Sequence, residues 1–238
     1  MALPPTVTTN LREEPMREYW LARIHQHMRD GYAGVPLAKF PEDLRTYEHL
    51  LWEDAPDTVI EIGTYTGGSA LWFRDRLRTL TQYARITREP SVITIDVRQD
   101  LAREHLSRAD PDWPSTITVL EADVRAPDTP ERVRALLSTD ARCLVIDDSA
   151  HEYETTFAAL DGFSRFVPTG GFFVVEDGCV DVEELRPRDD WPRGVLPALH
   201  DWLATPDGRE FQMRRDLELY GVSCDPEGFL QRRRPAPE

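Results

Sequence analysis

The stretch Thr58-Val59-Ile60-Glu61-Ile62-Gly63-Thr64-Tyr65-Thr66-Gly67-Gly68-Ser69 decides how the chain is read. A short apolar run ends at Ile62, glycines follow, and a helix-like segment opens at about residue 67. A strand that enters a tight turn and then a helix has this pattern. Outward from it the pattern repeats: apolar runs at Val92–Ile95, Ile117–Leu120, Cys143–Ile146 and Gly171–Val175 alternate with helical segments at about 67–80, 98–108, 128–138 and 153–166. Such alternation predicts an α/β, Rossmann-like fold: a mostly parallel sheet with helices on both faces. After a helix near Val195–Leu203 come three short runs, Phe211–Arg214, Leu217–Val222 and Gly228–Arg232. The last two read as a C-terminal antiparallel strand pair joined through Asp225-Pro226-Glu227.

Upstream, residues 11–30 place Tyr19, Leu21, Ile24 and Met28 at helical spacing, with Asp30-Gly31 as a stop. A Gly/Pro-punctuated loop, Gly31–Phe40, precedes a second helix starting at Pro41 and running to about Trp52. The expected organisation is one domain over 1–238: an N-terminal helical cap (1–55), the core (56–232) and a tail (233–238). The cap lies outside the predicted sheet and is expected to serve as a substrate lid or a subunit contact, which would allow a homo-oligomer.

Composition narrows the partners. At 238 residues and 40% apolar the chain is long enough for one large core and too apolar for a disordered class. A formal charge of −15 and a pI near 4.8 disfavour nucleic acid and anionic membranes. No apolar run approaches the roughly 18 residues of a membrane span, and no basic-then-apolar leader opens the sequence. Cys143, Cys179 and Cys224 share no metal-ligand spacing, which predicts a reduced, cytoplasmic protein. Of the 28 basic residues only Lys39 is a lysine, so it marks a place where arginine would not serve.

Ligands of open α/β sheets bind beyond the carboxyl ends of the strands, so the residues after each apolar run are the candidates. The first turn lacks the Gly-Lys-Ser/Thr of a phosphate loop, and Tyr65 occupies the second glycine of the dinucleotide fingerprint. Glu61, two residues before Gly63, favours a ligand bearing an ammonium or sulfonium over a pyrophosphate. Asp96 ends the second strand, where an acid accepts ribose hydroxyls; Asp123 follows the third, where an acid meets an adenine amino group. Three acids at successive strand ends beside one Gly-rich turn point to S-adenosylmethionine. The fourth run delivers Asp147, Asp148 and His151, and the fifth Glu176 and Asp177. If Asp148 opens a helical turn, His151 shares its face. If the fourth and fifth strands are neighbours, about 4.8 Å apart, their tips gather these carboxylates, and a cation or a proton must then offset the repulsion. Oxygen ligands without cysteine favour Mg²⁺ over Zn²⁺. His25, His27, His49, His105 and His200 are assigned to structure or solvent.

Gly34-Val35-Pro36-Leu37-Ala38-Lys39-Phe40-Pro41-Glu42-Asp43, Val59–Ile62 with Gly67-Gly68-Ser69-Ala70-Leu71, Ile146-Asp147-Asp148-Ser149-Ala150-His151 and Gly170-Gly171-Phe172-Phe173-Val174-Val175-Glu176-Asp177 together resemble the cephalosporin hydroxylase family. That family is similar to class I S-adenosylmethionine-dependent methyltransferases, in particular the metal-dependent macrolide-sugar and rhamnosyl O-methyltransferases of natural-product and antibiotic pathways. The likeness runs from about Gly31 to Gly178, with a weaker echo at Asp225–Gln231. It implies Mg²⁺ on Asp148, Glu176 and Asp177, His151 as general base, and the cofactor against Glu61, Gly63, Ser69 and the intervening Thr64, with Asp96 on the ribose. The Asp-x-x-His spacing selects Asp148 over Asp147. The implied reaction is O-methylation of a hydroxyl on a sugar or polyol-like small molecule. Two alternatives stay open: a catechol-type acceptor with Lys39 as base, and a non-catalytic cofactor-binding subunit that assists an oxygenase. No acceptor signature is legible in Cys179–Pro192.

Overall fold

The computed structural model describes residues 16–186, 188–221 and 223–234. The chain opens with helix α1 (Met16–His27), a two-residue hairpin of β1 (Gly31–Tyr32) and β2 (Val35–Pro36), and helix α2 (Pro41–Asp54). Strands β3 (Thr58–Ile62), β4 (Ser91–Asp96), β5 (Ile117–Glu121), β6 (Cys143–Asp147) and β7 (Phe172–Val175) alternate with α3 (Gly68–Gln82), α4 (Asp100–Ala109), α5 (Thr129–Arg134) and α6 (Tyr153–Phe163). Helix α7 (Val195–Leu203) and strands β8 (Phe211–Met213) and β9 (Phe229–Arg232) complete it. The seven-stranded sheet has the order β5-β4-β3-β6-β7-β9-β8. Its first five strands are parallel, and β9 runs antiparallel to both neighbours.

The two-residue period of a strand explains the layers. Val59, Val92, Leu144, Ile146, Phe172 and Val174 point to one face, where Leu50, Leu71, Phe73, Leu77 and Leu106 cover them. Ile60, Ile62, Ile93, Ile95, Val145, Phe173 and Val175 point to the other, under Trp20, Leu160, Phe163, Leu199 and Trp202. Each such side chain contributes roughly 1.5–3 kcal/mol on burial. The order reverses between β3 and β6, which are paired with Ile62 opposite Asp147. That reversal opens a crevice at the carboxyl ends of the strands. Among the described residues no helix is long and apolar enough to cross a membrane.

Three expectations change. Leu217–Val222 is not a strand: Arg215–Leu217 forms a 3₁₀ turn, Leu219 and Tyr220 are exposed, and Val222 lies outside the described residues. The antiparallel partner of β9 is Phe211–Met213, with Met213 opposite Leu230. Gly228 explains the entry into β9, because a Cβ there would stand 2.0 Å from the Val175 carbonyl oxygen. The chain joins β7 there: the Val175 amide donates to the Gly228 carbonyl at 2.9 Å, and Phe229 stands opposite Val174. Arg233, assigned to the tail, is held instead, its amide donating to the Glu210 carbonyl at 2.7 Å; residues 235–238 lie outside the described residues, as does 11–15 of the first expected helix. The cap is docked on the core: Trp20 and Ile24 are buried in it, and the Trp20 indole donates to the Leu185 carbonyl.

The hairpin meets the first turn of α3 at Gly68, where a Cβ would lie 2.0 Å from the Pro36 carbonyl oxygen. Backbone sits on both sides of that contact, so Gly68→Ala must displace the hairpin. Overpacking of this kind costs roughly 1–3 kcal/mol. We expect the melting temperature of Gly68→Ala to fall by about 2–4 °C for each kcal/mol lost, measured by thermal unfolding.

Candidate active site

A cavity of about 590 Å³ lies at the carboxyl ends of the strands. One half is bordered by Gly63, Tyr65, Asp96, Val97 and the loop Ala122–Arg125 after β5. The other is bordered by Asp148–Glu152 and Asp177, by Cys179, Cys224, Trp191 and Pro192, and by Ile24, His27 and Met28 of α1.

In the first half, the turn after β3 is clamped by the acid that ends β4. Asp96 Oδ2 accepts the amide N–H of Thr64 and of Tyr65, both at 3.1 Å. Its Oδ1 receives only a long 3.4 Å contact from the Arg98 amide and borders the cavity. Gly63 has φ +103°, and a Cβ there would fall 1.8 Å from the Asp148 carbonyl oxygen. No other residue lets these two turns touch. Asp123 borders the cavity but is gripped by Arg125 through bonds of 3.0 and 2.8 Å, and that guanidinium holds its carboxyl below the ordinary range.

Three expected cofactor residues sit behind the wall instead. The Thr64 hydroxyl bonds to Thr94 at 2.8 Å and to Gln99 at 3.0 Å. Ser69 is buried in the first turn of α3. Glu61 is fully buried: its Oε2 accepts the Thr94 hydroxyl at 2.6 Å, while its Oε1 has no hydrogen-bond partner among the described residues. Burial pushes the Glu61 carboxyl to about 7, against the pull of Lys39. An orphaned buried carboxylate oxygen is costly, and here it lies beside the turn that touches both halves of the cavity. Strand alternation fixes which side chains point inward, and a glycine-rich turn in sequence does not announce it.

The second half gathers charge. Asp147 keeps its strand position, is 3% exposed and does not border the cavity, whereas Asp148 does. The Asp148 amide donates to the Ile62 carbonyl at 2.7 Å, which extends the parallel ladder. Residues 148–151 therefore form no helical turn, contrary to expectation; His151 reaches the site through a left-handed backbone (φ 58°) just before α6. Asp177 is left-handed too (φ 58°), and its amide donates to Asp225 Oδ1 at 3.0 Å. Non-glycine residues in this region cost roughly 1–3 kcal/mol each and cluster at functional sites. One ligand atom each from Asp148, His151 and Asp177 lies within 4.8 Å of the others, with His151 Nε2 3.4 Å from Asp177 Oδ2.

Glu176, expected among the metal oxygens, does not border the cavity. It accepts from Tyr47 through Oε1 and from the Lys39 ammonium through Oε2 at 2.5 Å. Lys39 also donates to Asp148 Oδ2 at 2.9 Å. A carboxylate offers about four lone-pair positions, so Asp148 and Glu176 keep capacity for a cation. Burial raises Asp148 to about 6 and Glu176 to about 7, in each case against Lys39. For His151, burial pulls the imidazole down, but Asp177 and Asp148 outweigh it and leave its pKa above the ordinary value. Tyr47 and Trp191 carried no legible signal in the sequence, and Asp225 only a place in a turn and in a weaker stretch of the family likeness. Lys39 did, as the lone lysine.

Residues 25–233 match the family model described as Rhamnosyl O-methyltransferase/CmcI. The chain belongs to this family. It is an S-adenosylmethionine-dependent O-methyltransferase, which removes the alternative of a non-catalytic subunit. It is similar to rhamnosyl O-methyltransferases of Mycobacterium tuberculosis (26% identical over 203 residues, 84% of this chain and 77% of the relative). The same holds for that of Mycobacterium leprae (26% over 208 residues, 85% and 82%). Its backbone is similar to an apo structure of CmcI at a TM-score of 0.64, 25% identity, covering 98% of this chain and 90% of that one. A Bacillus cereus O-methyltransferase in complex with SAH shares the fold at a TM-score of 0.57 and 15% identity, covering 93% and 92%.

In this methyltransferase the Lys39 ammonium is the buried counter-charge of two carboxylates. Removing one partner of a buried pair typically costs 3–5 kcal/mol, so Lys39→Met should lose about that much in urea unfolding. The sign of its pH dependence follows. Without Lys39, Asp148 and Glu176 fold best protonated, so folding takes up protons and stability falls as pH rises. The deficit should be smaller at about pH 5.5 than at about pH 8.

Proposed function

We propose that the enzyme methylates a hydroxyl of a sugar- or polyol-bearing natural-product metabolite that presents two neighbouring oxygens, in a Mg²⁺-dependent reaction. The observation that carries this reading is the convergence of Asp148, His151 and Asp177 in one cavity, beside the turn clamped by Asp96. The rhamnosyl O-methyltransferases among its relatives support the acceptor class. A CmcI structure with Mg and S-adenosylmethionine (TM-score 0.62, 24% identity, covering 96% of this chain and 89% of that one) shares the fold.

The donor set fits a hard cation: Asp148 and Asp177 face the cavity, Glu176 stands behind them with lone pairs to spare, and carboxylate oxygens are what Mg²⁺ prefers. Bound by these residues, Mg²⁺ would lower the pKa of an acceptor hydroxyl and fix its position. His151, an imidazole among oxygen ligands, is assigned to the proton rather than to the ion. Cofactor placement follows the clamped turn: Asp96 Oδ1 toward the ribose hydroxyls, Asp123 and Arg125 at the adenine end, and Gly63 along the backbone path. Glu61, behind the turn, supplies negative charge toward the amino end of the donor.

Transfer is an in-line displacement. The acceptor oxygen attacks the methyl carbon, the sulfur–methyl bond breaks as the oxygen–methyl bond forms, and S-adenosylhomocysteine leaves. The hydroxyl proton passes to the His151 imidazole, whose Nε2 stands 3.4 Å from Asp177 on the cavity wall. The reacting atoms must be held about 3–3.5 Å apart. Lys39 is not the base of a catechol-type site. It is 4% exposed, donates to two carboxylates, and its pKa is raised well above the ordinary lysine value: burial opposes this, and Asp148 and Glu176 outweigh it.

Calorimetric titration of S-adenosylmethionine should give one site per chain both with Mg²⁺ and with EDTA. Binding that requires Mg²⁺ would place the ion at the cofactor and redraw this assignment. Asp148→Ala should lose turnover on a sugar diol while keeping cofactor affinity. His151→Ala should lower kcat by about 10²–10⁴; wild-type rates in that variant would assign the proton to another group.

A further inference from the structure

Asp177 faces two groups at once: the acids and imidazole on one side, and a pair of thiols on the other. We propose that Asp177, Cys179 and Cys224 form a second metal site, selective for a thiophilic divalent cation such as Zn²⁺ or Cd²⁺. One ligand atom from each lies within 4.8 Å of the other two. Cys179 Sγ stands 3.8 Å from Asp177 Oδ1. A tetrahedral ion with bonds of about 2.0–2.3 Å holds its ligand atoms about 3.3–3.8 Å apart, so only small shifts separate this arrangement from a coordination shell.

The site is built by the fold. Residues 179 and 224 are distant in sequence, and the Cys179 amide donates to the Cys224 carbonyl at 3.0 Å. The Cys224 amide donates to Asp43 Oδ2 at 3.1 Å, and the Asp177 amide to Asp225 Oδ1 at 3.0 Å. All three ligand residues are thus fixed through their backbones. Both cysteines are free and border the cavity, which gives an ion a path. Two sulfurs with one carboxylate oxygen select a soft cation, whereas the neighbouring Asp148, Glu176 and Asp177 oxygens select a hard one. Asp177 belongs to both sets. A thiophilic cation therefore opposes Mg²⁺ through that shared carboxylate, a consequence that rests on the Mg²⁺ assignment above.

The test is a Cd²⁺ titration of the reduced full-length protein, followed by the ultraviolet thiolate-to-cadmium charge-transfer band. The expected result is saturation at one Cd²⁺ per chain with the intensity of two thiolates. Cys179→Ser or Cys224→Ser should remove the two-thiolate band. Cys143→Ser should keep it, since that thiol is buried on β6 and does not border the cavity. Wild type alone decides if a serine variant fails to fold: absence of the band at stoichiometric Cd²⁺ overturns the site, and so does a band that survives both substitutions. Repeating the titration in saturating Mg²⁺ should raise the Cd²⁺ needed. An unchanged midpoint would overturn the antagonism through Asp177, while the band still decides the thiol site.

Discussion

Lys39 places one ammonium between Asp148 and Glu176, and the acid half of the cavity is arranged around that pairing. Asp147, Asp148, Glu176, Asp177 and Asp225 come from two adjacent strand ends and a returning loop, with Glu61 close enough to feel the same charge. So many buried carboxylates repel one another, and desolvation alone would drive them neutral. One ammonium, fixed by burial and by two short bonds, keeps part of the group ionised. The broad, rigid fork of an arginine is not the compact point charge that this position holds, which gives a physical reason for a single lysine in an arginine-rich chain.

The two halves of the cavity are joined by a backbone contact. Gly63 lies so close to the Asp148 carbonyl that only glycine is tolerated, and Asp96 ties the same turn through two amides. The clamped turn and the acid cluster therefore meet through backbone at the reversal between β3 and β6. Around this unit the mouth of the cavity is lined by α1 and by Trp191 and Pro192, elements outside the sheet.

Much of the fold was legible because strand and helix periods differ so clearly in residues 58–175. All five parallel strands fall where the apolar runs predict, with ends shifted by a residue or so. The C-terminal strands were read less well, since Leu217-Glu218-Leu219-Tyr220 alternates like a strand yet folds as a 3₁₀ turn followed by two exposed residues. What decides there is Gly228, which delivers the chain straight to β7. Of the site, Gly63, Asp96, Asp123, Asp148, His151 and Asp177 were found from strand ends and do border the cavity. Glu61, Thr64, Ser69 and Glu176 were found too, but they support it from behind.

The sequence by itself determined the class of fold and which acids and glycines stand at its strand ends. Those are local properties: hydrophobic period, turn chemistry and residue type need no partner to be read. Tertiary structure alone decided what Lys39 does, that Tyr47 and Asp225 hold the acids, and that Cys179 meets Cys224. Each of these depends on segments distant in the chain being brought to bonding distance. No local pattern encodes such a meeting, because the energy that enforces it comes from the packed sheet and not from the residues that touch.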